Sequence, residues 1–323
     1  MIYRTRDGNE VSGNGGQDRL LSDLYGTFPG RIAVRLLIPP VVSKIGGFFL
    51  NSALSRFLIR PFVRKNNIDL NLYEPAAFAK NIHNIASIRS SRRTDRFQRN
   101  YRSYNEFFTR KIKDGLRPFD SNPSHLVSPC DGKLTVCPIS KTGTLYVKQT
   151  AYTIESLLRN RKLADRYDGG QALIFRLTVD DYHRYFYVDD GKKSRDHKIP
   201  GVLHTVNPVA GDVYPIYKEN SRQYCLIKTS CFGTILMMEV GALMVGKIHN
   251  HHSGKTLVNR GMEKGYFEFG GSTILLLLQS GAAILDADLL ANSREGIETI
   301  VKAGERIGKS QKVFSSDDAD SID

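Results

Sequence analysis

The stretch Tyr266–Leu278, YFEFGGSTILLLL, constrains the fold more than any other. An aromatic run stops at Gly270-Gly271, a hydroxyl pair follows at Ser272-Thr273, and an apolar run resumes at Ile274. A short apolar run without polar alternation belongs in a sheet covered on both faces. The chain must therefore build a core sheet and must interrupt it with Gly-Gly-Ser-Thr. From Pro118 onward the same grammar recurs in ALIFRLTV, YFYV and GTILMMEVGALMVGKI. These runs are short, β-branched or aromatic, and Gly, Pro and Asp punctuate them, which predicts a mainly antiparallel β domain over residues 116–313. One helix is expected from Thr153, in TIESLLRNRKLADRY. The last residues, 314–323, are acidic and predict a disordered tail.

The N-terminal third reads differently. Residues 1–115 hold 20 Lys/Arg against 9 Asp/Glu, whereas the other 208 hold 26 against 24, so most of the net charge of +13 belongs to this region. Between Tyr25 and Ile68 there are seven basic residues and no acidic one. Such a patch attracts polyanions, either nucleic acid or anionic lipid. Pro39-Pro40 breaks any long helix, and the longest uncharged stretch, Ile45–Ser55, has 11 residues against the ~20 that span a bilayer. Short amphipathic helices are expected, with Leu54, Phe57, Leu58 and Phe62 near one face of a helix over Ser52–Arg64. Apolar faces with basic flanks suit a membrane surface or a helical layer packed on the protein's own core. A further helix ending in YNEFFTRKIK should turn Phe107 and Phe108 inward. Its aromatics cluster instead of spreading across a sheet, which argues against nucleic acid as a partner. The fold class is thus α+β, a basic, amphipathic helical region over residues 1–115 on a β-rich catalytic domain.

Cys130, Cys137, Cys225 and Cys231 have neither C-x-x-C nor zinc spacing and read as reduced thiols in a reducing compartment. The opening MIYRTRDGNE is polar, so no secretory signal is expected there. His249, His251 and His252, in HNHH, read as a solvated loop and no metal site is assigned.

Four segments place reactive groups at turns: SPCDGKL with Asp131, DDYHRYFYVDDG with His183, GVLHTVNP with His204, and FGGST with Ser272. Each alone reads as an ordinary turn or a core histidine. An Asp–His–Ser hydrolase is a weaker reading, because Ser272 lacks the G-x-S-x-G elbow. An unprocessed membrane-binding module is the other alternative. Gly270 and Gly271, lacking side chains, permit a strained backbone and close approach.

Taken in order and spacing, YNEFFTRKIK, SPCDGKL, DYHR, VGALMVGKI and EKGYFEFGGST resemble the phosphatidylserine decarboxylase family over most of the chain. The last motif matches the family's Leu-Gly-Ser-Thr processing site, with Gly270 where Leu is common. The resemblance implies a self-processing proenzyme, a lyase of phospholipid biosynthesis. Cleavage between Gly271 and Ser272 would give a heterodimer of a β chain, 1–271, and an α chain, 272–323. Ser272 would become a covalent pyruvoyl group, and no separate cofactor is implied. That group would form a Schiff base with phosphatidylserine in an anionic membrane and release carbon dioxide and phosphatidylethanolamine. The expected place is the cell membrane, peripheral, on the cytoplasmic face. The family's relay of Asp, His and Ser carries over to Asp131 and Ser272. Its histidine does not carry over simply, since the commonest motif has two histidines and this chain has an aromatic, Phe186, where the second would stand. Either His183 serves both processing and decarboxylation, or His204 supplies the imidazole by exchanging places with the Phe across a strand pair.

Overall fold

The computed structural model describes residues 2–13, 23–75, 101–147, 150–206, 215–242, 247–270 and 272–311. The expected tail, 314–323, and residue 271 lie outside them. The main sheet is built on β1 (Ile2–Arg4), β2 (Glu10–Ser12), β3 (Gly132–Pro138), β4 (Gln171–Leu177), β6 (Arg222–Lys228), β7 (Thr234–Val240), β9 (Ser272–Leu278) and β10 (Glu298–Val301). Numbering follows the chain, and β5 (Arg184–Phe186) and β8 (Glu263–Phe267) pair in a separate small sheet. The order across the main sheet is Thr256–Val258, Gly191–Lys193, β6, β7, β9, β4, β3, β10, β1, β2. Adjacent described strands are antiparallel except β1 and β10, which run parallel. The α+β expectation holds.

β9 is the run STILLLL, and every one of its residues is buried. It lies between β7 and β4, with Ile274 opposite both Glu239 and Phe175. An unalternating apolar strand is stable only where both faces are covered, and one continuous apolar cluster covers it.

The N-terminal helices are short, as Pro39-Pro40 predicts: α1 (Phe28–Leu37) and α2 (Pro40–Asn51) meet at a sharp bend. Thr27 caps α1 by accepting the Gly30 N–H. Among the described residues no single helix is long and apolar enough to cross a membrane. Ser52–Arg64 is not one helix. Ala53–Leu58 is a 3₁₀ turn, followed by α3 (Ile59–Lys65). Ser55, Ile59 and Val63 are the buried side, while Leu54 and Phe57 face outward. In α4 (Tyr104–Phe108) Phe107 and Phe108 are buried, as expected. Ser103 caps it by accepting the Glu106 N–H, and Glu106 reaches back to the Arg102 N–H. α2, α3 and α4 share a second apolar cluster around Leu50, Ile59, Tyr104 and Phe107.

Two expectations are corrected. Residues 2–12, assigned to the helical region, are β1 and β2, held on the main sheet by β10 from the far end of the chain. The helix from Thr153 starts there but breaks at Arg159, which takes a left-handed φ of 52° before Asn160 caps a second short helix. Cys130, Cys137 and Cys225 are buried and Cys231 half-buried, all as free thiols.

Candidate active site

The site forms where two chain segments change sheets side by side. β4 leaves the main sheet through residues 178–183 and becomes β5; β8 leaves the small sheet after Phe267, and the main sheet is rejoined by β9 at Ser272. β4 pairs with β9 and β5 pairs with β8, so the two crossovers run together. Ser272 stands opposite Leu177. The Phe267 N–H donates to the His183 carbonyl at 3.0 Å. The sequence thus brings DDYH beside FGGST by register alone.

The 178–183 turn is tightly tied. Asp181 accepts from the Thr178 N–H at 2.8 Å and from the Thr178 hydroxyl at 2.9 Å. Lys133 Nζ donates to Asp181 at 2.6 Å and to Thr178 Oγ1 at 2.7 Å. This ion pair is buried, and Lys133 beside it holds the Asp181 carboxyl at about 2 against the burial that pushes it up. His183 Nδ1 lies 2.9 Å from the Asp181 carbonyl. A carbonyl only accepts, so Nδ1 carries the hydrogen and Nε2 bears the lone pair. Nε2 is buried and has no hydrogen-bond partner among the described residues. Burial, with the Phe108 ring 4.3 Å away, pushes His183 down to about 4, so the imidazole is neutral at physiological pH.

The other crossover is anchored in the helical layer. Phe269 packs edge-on against Tyr104 and Phe108, at 5.0 and 5.1 Å. Its N–H donates to Asn105 Oδ1 at 3.0 Å. Gly270 takes φ 137°, a conformation that side chains disfavour. Ser272 is fully buried, and its Oγ has no hydrogen-bond partner among the described residues.

Asp131 and Ser272 open their strands at the same end of the sheet, two strands apart. Arg117 holds the Asp131 carboxylate with Nε at 3.0 Å and Nη2 at 2.8 Å. The Ala303 N–H donates to it at 2.9 Å, and Lys302 Nζ lies 3.4 Å away. The structure therefore pairs Asp131 with Arg117 and gives it no described contact with either histidine. His204 lies on the β7 side of β9. Its backbone N–H donates to Asn220 Oδ1, and Asn220 Nδ2 donates to the carbonyls of His204 and Gly241, just beyond Val240 opposite Thr273. Its Nε2 sits 3.3 Å from Glu219, and burial lowers its pKa. Phe186 is opposite Glu263, bonds through its N–H to Pro129, and packs on Phe119. Phe186 and His204 are not partners on one strand pair, so the proposed exchange is not borne out. HNHH is not simply a loop: His249 sits in a strand opposite Tyr266 and meets Glu268 at 2.6 Å, while His251 meets Glu263 at 2.7 Å.

Sequence reasoning missed Lys133, Asp181, Arg117 and Asn105. Lys133 and Asp181 do stand in the motifs DGK and DDYH, but their pairing spans 48 residues.

Comparison with known proteins matches the phosphatidylserine decarboxylase family over residues 104–309. The chain is 42% identical over 290 residues to phosphatidylserine decarboxylase proenzyme 2 of Clostridium acetobutylicum, covering 90% of this chain and 91% of that one. The chain belongs to the phosphatidylserine decarboxylase family. It is also 39% identical to the phosphatidylserine decarboxylase proenzyme of Ruminiclostridium cellulolyticum, over 90% of this chain and 91% of the other. A Clostridium botulinum relative of the same name is 37% identical over 82% of this chain and 84% of its own. As a member of this family the protein is a decarboxylase, a carboxy-lyase of phospholipid biosynthesis.

Proposed function

We propose that the chain cleaves itself between Gly271 and Ser272 and then decarboxylates phosphatidylserine to phosphatidylethanolamine. One observation carries this reading. A fully buried serine whose Oγ has no partner among the described residues opens the central strand, beside a turn that holds a neutral imidazole whose Nε2 likewise has none among them. Leaving two such groups unsatisfied in a core costs stability, and a reaction between them gives a reason for it.

His183 is the base in this reading, because its crossover runs beside the segment that leads into Ser272, its carbonyl accepting the Phe267 N–H, whereas the His204 ring lies on the β7 side of β9 with Nε2 held at Glu219. Nε2 takes the Ser272 hydroxyl proton as Oγ adds to the Gly271 carbonyl carbon. The C–N bond breaks, the nitrogen regains a proton, and an ester joins Gly271 to Ser272 Oγ. A base then removes the Ser272 Cα proton, and the Cβ–Oγ bond breaks. Gly271 keeps the oxygen as a new terminal carboxylate, and residue 272 becomes dehydroalanine. One water hydrolyses that residue, releasing ammonia and leaving a pyruvoyl group at the head of residues 272–323. The fully buried position of Ser272 suits a reactive ketone that must be shielded from water. When present, the group supplies a ketone for the substrate amine and a sink for the electron pair left by carbon dioxide. The chain's own residues then orient the substrate, with neutral His183 able to take and return a proton in an apolar setting.

The substrate source is an anionic membrane, met peripherally from its cytoplasmic face. Phe28, Ile32, Leu36, Val41, Ile45, Phe48, Leu54 and Phe57 are exposed, in the region with seven basic and no acidic residues. The β chain, 1–271, and the α chain, 272–323, stay associated because β9 and β10 are interior strands of the main sheet.

The test is a denaturing gel with mass spectrometry of the purified protein. We expect a fragment starting at residue 272 with a blocked, pyruvoyl N-terminus, and an uncut Ser272→Ala chain. An uncut 36.3 kDa wild-type chain that releases no carbon dioxide from phosphatidylserine vesicles would overturn the proposal.

A further inference from the structure

Asn105 touches both halves of the molecule. It is buried in α4, and its amide is used in both directions. Oδ1 accepts the Phe269 N–H at 3.0 Å, three residues before Ser272. Nδ2 donates to Asn51 Oδ1 at 3.0 Å, at the last turn of α2. Asn51 Nδ2 in turn donates to the Gly47 carbonyl at 2.9 Å. The orientation of each amide is set by its partners. The Phe269 N–H requires an oxygen and the Gly47 carbonyl requires an N–H. Flipping either side chain would face donor to donor or acceptor to acceptor. The result is a directional chain of three hydrogen bonds from the backbone of α2 to the backbone of the cleavage segment. Its outer end, Gly47, lies between Ile45 and Phe48, which are 68% and 82% exposed. Its inner end lies within about 11 Å of chain reach of Ser272. A second tie runs alongside, since the Tyr104 N–H donates to Ser55 Oγ at 2.9 Å in the adjoining 3₁₀ turn.

We propose that Asn105 is a positioning residue that couples the apolar corner of α2 to the Phe269–Ser272 segment, so that an anionic lipid surface seated on that corner speeds self-cleavage. This rests on the reading of Ser272 as the self-cleaving residue. The occupant is lipid because the exposed corner pairs large apolar side chains with an uninterrupted basic charge, a combination complementary to an anionic interface. The physical route is short. Movement of α2 on seating shifts Asn51, hence the Asn105 amide, hence the Phe269 backbone three residues ahead of Ser272. Phe108, on the same five-residue helix, also walls His183.

The experiment follows cleavage of freshly synthesised full-length chain by pulse–chase on denaturing gels. It is run in buffer, with phosphatidylcholine vesicles and with phosphatidylglycerol vesicles, which are not substrate. Wild type should cleave about fivefold faster or more with phosphatidylglycerol than with phosphatidylcholine, a coupling of ordinary size. Asn51→Ala removes the link to α2 and leaves Asn105 Oδ1 as the acceptor for the Phe269 N–H. It should bind phosphatidylglycerol vesicles in flotation yet show the same cleavage rate with either lipid. Asn105→Ala should also slow cleavage in buffer. Flotation and circular dichroism of each variant in a Ser272→Ala background separate a lost link from a lost fold. If Asn51→Ala keeps the wild-type acceleration, or if wild type shows none while cutting at residue 272, this inference is overturned and the self-cleavage reading stands. If no condition yields a cut at residue 272, that reading itself fails.

Discussion

At the scale of residues, His183 and Gly270 are held in states that ordinary side chains avoid. Burial depresses His183 from 6.5 to about 4. The unfolded chain therefore binds its proton first as pH falls. The neutral ring costs nothing above pH 6.5, and stability is lost as pH drops from 6.5 towards 4, by on the order of 3 kcal/mol. Urea unfolding of the uncleavable Ser272→Ala protein at several pH values should show this loss, and a His183→Leu version should show a shallower slope over the same window. Equal slopes would mean that the imidazole is not desolvated as described. For chemistry, His183→Ala should lower the rate of self-cleavage by about 10²-fold or more, while His204→Ala still cleaves. The reverse pattern would make His204 the base. Gly270→Ala forces a side chain into φ 137° at a cost of about 1–3 kcal/mol. We expect accumulation of uncut chain at unchanged vesicle binding, read on the same gel.

At the scale of elements, the site depends on a latch that the motifs hide. Lys133 on β3 reaches the turn between β4 and β5 and neutralises Asp181, whose carbonyl in turn sets the His183 tautomer. Lys133→Met leaves a buried carboxylate without its partner, which costs about 3–5 kcal/mol. Thermal unfolding should show the loss, and Lys133→Met with Asp181→Asn should recover much of it, since the uncompensated charge is then gone. No recovery would mean that the lysine acts by packing alone. The limits of sequence reading are visible in the same elements. β9 was legible because an unalternating apolar run has one stable place, the middle of a covered sheet. Ser272, Asp131 and His183 each read locally as a turn or a core residue, and gain roles only through the ordered set of motifs that resembles the family. The Lys133–Asp181 pair was not legible, because Asp-Gly-Lys reads locally as a turn and the partner comes from 48 residues away. The Arg117 grip on Asp131 was invisible for a like reason. Nor could the 3₁₀ turn at Ala53–Leu58 be read from spacing, since its outward Leu54 and Phe57 mimic the buried stripe of a helix.

At the scale of the whole molecule, the two ends of the chain are tied into one sheet. Arg6, just past β1, meets Asp286 at 2.8 Å and also reaches Asp288 and Glu305, all C-terminal to Ser272. β1 was missed in the sequence because three polar-flanked residues carry no period, and its parallel partner β10 lies some 295 residues away. Deleting residues 1–70 would therefore remove β1 and β2 together with the helices that carry the exposed apolar side chains, and would confuse folding with binding. Point substitutions on the exposed corner avoid this. Ile45→Ser, Phe48→Ser and Phe57→Ser alter side chains that face outward, so thermal stability should stay within about 0.5 kcal/mol per site of wild type. If the corner seats on lipid, each residue loses about 1.5 kcal/mol or more of apolar burial in the membrane. Binding of the triple variant to phosphatidylglycerol vesicles in flotation should then fall by more than about tenfold. The residual binding should be carried by the basic residues and should vanish at high salt, where exposed charges are screened. Unchanged flotation of a stable triple variant would place the membrane contact elsewhere on the molecule.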